Sequence, residues 1–153
     1  MATSLERLQD FFATSPAAAR ATATLSADAR VDLALDEGPA HFTREAGAPE
    51  VRPGPSGRPD FTLRLPPGAV ERVTAVTGDD VGALGIAFFE LVLERDPALK
   101  VGLRLDAPTG RLVAHGYLAV LALGGVKVGW WLMKKGFANP LAVIERLRRR
   151  SSA

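Results

Sequence analysis

The chain predicts an α+β fold, a mostly antiparallel sheet covered on one face by helices. Three observations carry that expectation. Apolar residues alternate at Val31, Leu33 and Leu35, and again at Phe61, Leu63 and Leu65, the period of a half-buried strand. After Pro66-Pro67 the period becomes helical, through an unusually apolar segment from Val81 to Arg95. Alternation then returns at Val101, Leu103 and Leu105.

Composition narrows the function classes. A chain of 153 residues, 47% hydrophobic and 24% charged, is expected to form one domain with a substantial core and is too apolar for disorder. The net charge is +2 and the pI near 9.4, but much of the positive excess sits in Arg146, Arg148, Arg149 and Arg150. A basic tail is not a basic face, so nucleic acid is not an expected partner. Cysteine is absent, which excludes disulfides, thiolate metal sites and cysteine nucleophiles. MATSLERLQDFF lacks a cationic segment followed by an apolar run and a cleavage site, so the expected location is the cytoplasm.

The elements follow in order. Ser4 is placed to cap a helix carrying Leu5, Leu8, Phe11 and Phe12 at helical spacing, ended by Pro16. Ala17 to Thr24 lacks a periodic apolar face and reads as a tether or a frayed helix. After the strand at Val31, the residues Asp36, Glu37, Gly38 and Pro39 supply a turn, and Ala40 to Arg44 returns as the second arm of a hairpin. Glu50 to Pro53 adds a short strand. Pro53, Pro55 and Pro59 then keep PGPSGRP from being helical. With the strand at Phe61, this half reads as an antiparallel meander.

Pro66-Pro67 opens a helix with a stripe of Val70, Val73, Ala75 and Val76, ending at Gly78. Asp79 or Asp80 caps the next, Val81 to Arg95. Val81, Leu84, Phe88, Leu91 and Val92 fill one face, while Ile86, Phe89 and Leu93 make a second apolar patch. A surface helix keeps a broader polar face, so this one is covered on two sides or borders a cavity. Beyond Leu105, APTG turns the chain, and Arg111 to His115 is expected to pair as a hairpin arm. Tyr117 to Met133 is apolar apart from Lys127, and Pro140 to Arg150 is amphipathic, with Leu141, Ile144 and Leu147 inward.

This order of elements resembles the sterol carrier protein 2 (SCP2) family of lipid-binding domains. VDLALDEGPAHFTRE resembles the family's first hairpin and EVRPG its short third strand. RPDFTLRLPPGAVERVTA resembles the strand-to-helix step, with an acid before alternating Thr and Leu. GRLVAHGYLAVLAL is similar to the late strand, its glycine and the apolar helix that follows. The likeness runs from Arg30 to Gly125. KVGLRLDAPTGRLVAHG departs from it by offering a full extra hairpin, and the C-terminal region is longer. The resemblance implies a curved sheet, helices enclosing an apolar tunnel, and non-catalytic binding and transfer of a sterol, fatty acid or fatty acyl-CoA. On this reading 1–28 is an N-terminal helix and tether, 29–139 the lipid-binding domain, and 140–153 an amphipathic helix with a basic tail.

A tunnel needs apolar walls and a few orienting polar groups. Leu84, Phe88, Phe89, Leu91 and Val92 form one candidate wall, and adjacent Phe88 and Phe89 must point in different directions. Tyr117, Val120, Leu121, Trp130, Trp131 and Met133 form the other, with Tyr117, Lys127 and Lys134 as candidate rim groups. Packing of the same residues in an ordinary core is the alternative. The expected partner is a hydrophobic small molecule or lipid, with no cofactor and no metal.

Enzymatic chemistry finds little support. His41 and His115 are the only histidines, neither has an HxxH or HExxH partner, and each reads as a strand residue with an ordinary hydrogen bond. Asp79-Asp80 reads as a helix cap rather than a cation site. The glycines match neither a P-loop nor a dinucleotide fingerprint, and no Ser sits in a nucleophile elbow. A second reading is an interaction module whose apolar helices form a homo-oligomer or bind a partner. A third is a membrane helix over 112–133, with Trp130-Trp131 and Lys134-Lys135 as belt and cationic flank. Lys127 inside that span opposes it, at about 3 kcal/mol on insertion scales; peripheral membrane contact is compatible with either of the first two readings.

Overall fold

Alternation in RVDLAL puts Val31, Leu33 and Leu35 on the buried face of β1 (Arg30–Leu35). The computed structural model describes residues 3–44, 47–117, 131 and 133–135, and in it β1 is the central strand of a five-stranded mixed sheet. β2 (Gly38–Thr43) and β3 (Glu50–Pro53) extend the sheet on one side, each antiparallel to its neighbour. β4 (Phe61–Arg64) flanks β1 on the other side in parallel, and β5 (Gly102–Leu105) closes that edge antiparallel to β4. The fold is α+β, and all strand pairs but one are antiparallel. Register aligns Val51, Phe42, Val31, Phe61 and Leu105 in one row across the core face, with Ala40, Leu33, Leu63 and Leu103 in the next.

The meander expectation fails at β4, which pairs with β1 and not with β3. The cause is the 54–60 segment, which outward-facing polar groups hold across β2 and β1. The Gly54 N–H donates to the Pro39 carbonyl at 2.9 Å. His41 Nδ1 donates to the Gly54 carbonyl at 2.8 Å, the ordinary strand-histidine bond expected of it. The Ser56 N–H donates to Asp32 Oδ1 at 3.0 Å, and the Asp60 N–H reaches the Arg30 carbonyl at 2.8 Å.

Helices cover the core face. α1 (Ser4–Thr14) is capped by Thr3, whose hydroxyl accepts from the Glu6 N–H at 3.1 Å; Ser4, the expected cap, is buried instead. α2 (Pro16–Thr22) forms where the sequence offered a tether or a frayed helix. Ser15 caps it and Pro16 occupies its first turn. Ala17, Ala18 and Ala21 are its buried residues, so it packs by closeness and not by a stripe of large side chains. Leu8 and Leu25 lie in the same core as β1 and β4, so the N-terminal segment is integral to the domain.

α3 (Pro67–Thr74) buries Ala69 and Val70. α4 (Val81–Val92) starts on Asp80, which accepts from the Ala83 N–H at 3.1 Å, as a cap should. It stops before the expected Arg95 because Glu94 turns on its own backbone, accepting from the N–H groups of Arg95 at 2.8 Å and Asp96 at 3.3 Å. Those two bonds hold the Glu94 carboxyl below its usual range. Lys100 Nζ donates to the carbonyls of Val92 and Glu94, satisfying orphan acceptors at the helix end.

The expected hairpin after β5 is absent. Thr109–Ala114 is a helix, α5, so that second hairpin arm does not form. Helical spacing brings Arg111 and His115, four apart, to one face, where both bond Asp60. Gly116 follows with φ of +94°, and a Cβ there would overlap the Thr24 carbonyl. A continuous helix from Leu112 is therefore interrupted at Gly116. Among the described residues no helix is long and apolar enough to cross a membrane.

Candidate functional site

Between the core face of the sheet and the helices lies a cavity of about 310 Å3. Phe42, Phe61 and Leu63 from the sheet border it, with Phe11 and Phe12 from α1 and Ala18 and Ala21 from α2. Of the predicted wall, Leu84, Phe88, Phe89 and Tyr117 line it. Phe88 also packs against the core. Phe89, its ring centroid 5.6 Å from that of Phe88, reaches Trp131 at 6.2 Å. Both rings border the one cavity, Phe88 also packing against the core and Phe89 also meeting Trp131.

Other predicted residues lie elsewhere. Leu91 and Val92, 2% and 4% exposed, sit in the packed core and do not border the cavity. They belong to the last turn of α4, where the Leu91 carbonyl receives the Val101 N–H at 3.0 Å. Met133 is 64% exposed, and Lys135 lies over the Trp131 ring at 5.7 Å. Val120, Leu121, Lys127 and Trp130 fall outside the described residues. The wall supplied by α1 and α2 lies outside the predicted set, because Phe11 and Phe12 read in the sequence as part of an ordinary amphipathic helix.

The cavity offers a ligand almost no polar handle. Among the described residues its lining holds two hydroxyls, Thr22 and Tyr117, and both are engaged. Thr22 Oγ1 donates to the Ala18 carbonyl at 2.8 Å, and Tyr117 donates to Asp60 Oδ2 at 2.8 Å. The Tyr117 ring meets Phe61 edge to face at 5.0 Å, so it presents hydrocarbon to the cavity and its oxygen to the carboxylate.

Asp60 organises this corner. It is 1% exposed, and a carboxylate so buried must be paired and hydrogen-bonded. Oδ1 accepts from Arg111 Nε at 3.1 Å. Oδ2 accepts from the Arg30 N–H at 3.2 Å, His115 Nδ1 at 2.9 Å and the Tyr117 hydroxyl. Its own carbonyl receives the N–H groups of Asp106 and Ala107 at 3.0 and 2.8 Å, tying β4 to the segment leading into α5. Burial, and then the Asp60 charge and hydrogen bond, push the Tyr117 phenol well above its usual value near 10. Tyr117 is thus a neutral donor.

In the sequence Asp60 reads only as the acid before a strand, with no role of its own. His115 is corrected outright: it follows α5 and serves the buried carboxylate, rather than standing in a strand. The helical spacing of Arg111 and His115 was the available signal, hidden by the apolar Leu112-Val113 pair between them. Among the described residues no cluster of His, Asp or Glu is arranged to hold a metal ion. Comparison with protein-family models, with curated proteins and with solved structures finds no match to this chain.

Proposed function

We propose that this protein is a cytoplasmic, non-catalytic carrier of one apolar ligand, held between sheet and helices in the manner of an SCP2-like domain. The observation that carries the reading is the cavity of about 310 Å3, whose two lining hydroxyls are already engaged. Its volume is at the lower end of the ~300–1,000 Å3 of ligand pockets and above the ~150 Å3 that accepts benzene in an apolar cavity. That size suits one acyl chain or one compact apolar molecule. Affinity comes from burying hydrocarbon, about 0.8 kcal/mol per methylene, and no polar group of the described lining is left to select a headgroup inside the cavity.

The test is titration of lipid-free protein with a fluorescent fatty acid, joined to native mass spectrometry of protein purified from its host. One saturable site and a co-purifying apolar molecule are expected. Absence of saturable binding overturns the reading.

A second reading, an interaction module, draws on the exposed Met133 beside exposed Lys134 and Lys135. It requires a stable oligomer or a partner complex, and a monomer by light scattering that also binds the fatty acid removes it.

A further inference from the structure

A second concavity, of about 410 Å3, opens beside Asp60 and is polar where the first is apolar. Arg30, Arg58 and Arg111 face it with Ser56 and His115, against the carboxylates of Asp28 and Asp60. Three guanidiniums against two carboxylates leave a net positive charge before His115 is counted. The Asp60 carboxylate repels an incoming anion weakly, because four donors already occupy its lone-pair sites.

The donors that remain are specific atoms. Arg111 uses Nε on Asp60 and Nη2 on the Pro59 carbonyl, which leaves Nη1 without a partner among the described residues. His115 spends Nδ1 on Asp60, which fixes its ring, and Nε2 adds a further donor to an anion only in the imidazolium form. The Arg58 guanidinium has neither an ion pair nor a hydrogen bond among the described residues, although its backbone is firmly held. Pro55 and Pro59 stiffen its loop, Gly57 turns it at φ of +86°, the Ser56 N–H is fixed on Asp32 at 3.0 Å, and the Arg58 N–H donates to Ser56 Oγ at 3.4 Å. A charged fork on a pre-organised loop loses less entropy when it binds.

The geometry points to an anion site for a phosphoryl group, either inorganic phosphate or a phosphomonoester. Guanidinium forks match phosphate oxygens. Donors approach from two separate elements, the 54–60 loop and the α5 end that carries Arg111 and His115, which suits a tetrahedral anion better than a planar carboxylate. This site is independent of the apolar cavity and stands whether or not a lipid binds there.

The experiment is calorimetric titration at fixed ionic strength and constant pH with inorganic phosphate, phenyl phosphate and benzoate. Saturable binding of phosphate is expected, weakened about tenfold by Arg58→Gln, the loss of one charge-assisted contact, and partly restored in Arg58→Lys. Arg20→Gln, on α2 and away from the site, leaves it unchanged. Arg58 is exposed, so an unchanged thermal midpoint will show that Arg58→Gln folds; Ser56→Ala provides a second reduction in affinity. Equal binding of phenyl phosphate assigns the site to phosphomonoesters, and binding of inorganic phosphate alone assigns it to the free anion. No saturable binding, equal affinity in Arg58→Gln, or benzoate binding as tightly as phosphate overturns the inference.

Discussion

Tyr117 donates its hydroxyl to Asp60 Oδ2 at 2.8 Å, and this bond joins the apolar cavity to the polar concavity. The tyrosine ring belongs to the apolar cavity and the aspartate to the polar one. A carboxylate that faces hydrocarbon through a phenol, and arginine and imidazole through its other donors, is a partition. It pairs the Tyr117 hydroxyl with a buried carboxylate and leaves the ring facing the cavity, as the Ala18 carbonyl pairs the other lining hydroxyl, Thr22.

The first prediction uses the fact that Tyr117 is the only tyrosine in the chain. Its folded pKa is raised above the unfolded value near 10, so the native state keeps this proton longer. The corresponding stability is fully present below about pH 10 and is lost as pH rises through the folded value. Absorbance at 295 nm should therefore show no phenol ionisation near pH 10 and a single step coinciding with alkaline unfolding. Tyr117→Phe should lack this component of the alkaline stability loss. A reversible titration near pH 10 with the fold intact would contradict the Tyr117–Asp60 bond.

The second concerns Asp60 itself. Replacing one partner of a buried pair leaves the other charge uncompensated, a cost of about 3–5 kcal/mol. Asp60→Ala should destabilise by that amount in urea denaturation, with Arg111 the main stranded charge. Arg111→Met in the same chain should recover part of the loss, so the double variant is more stable than additivity predicts. Strict additivity would show that Asp60 and Arg111 are not coupled.

Gly116 separates two kinds of glycine requirement. Gly78 and Gly116 both have positive φ, at 85° and 94°, but only Gly116 has backbone where a Cβ would stand. Gly78→Ala should cost about 1 kcal/mol, the ordinary penalty for that conformation. Gly116→Ala should cost clearly more, because the Thr24 carbonyl must move and with it the Ser26 N–H bond to the His115 carbonyl. Equal midpoint shifts in thermal melts would count against the close approach.

What could be read in advance follows from where each interaction lies in the chain. Alternation at Val31, Leu33 and Leu35 is local, and so are the Asp80 cap and the two-sided apolar face of α4. The parallel placement of β4 was hidden because it depends on the 54–60 loop meeting Asp32 and His41 across the sheet. α2 buries only alanines and so has no large apolar period to detect. Asp60 gathers side chains 51, 55 and 57 positions away, and no local pattern reports that. Of the cavity, the wall on α4 was legible because Leu84, Phe88 and Phe89 exceed what one buried face needs. The α1 and α2 walls were not, because their apolar residues match an ordinary amphipathic helix and a tether.

The cavity can be closed without touching Asp60. Ala21 is buried on α2 and borders the empty space. Ala21→Leu adds three carbons at the cavity wall, so folding should be unchanged or stabilised, as cavity-filling substitutions often are. The same carbons displace about as much ligand hydrocarbon. At ~0.8 kcal/mol per methylene the loss is about 2 kcal/mol of binding, roughly thirtyfold in Kd for a fatty acid. Phosphate affinity at the polar concavity should not move, because Ala21 is not part of it. A fatty acid titration and a urea melt on the same preparation check both halves. Unchanged fatty acid affinity in a variant of equal or greater stability would mean that the hydrocarbon binds elsewhere, and that this cavity is a packing defect rather than a binding site.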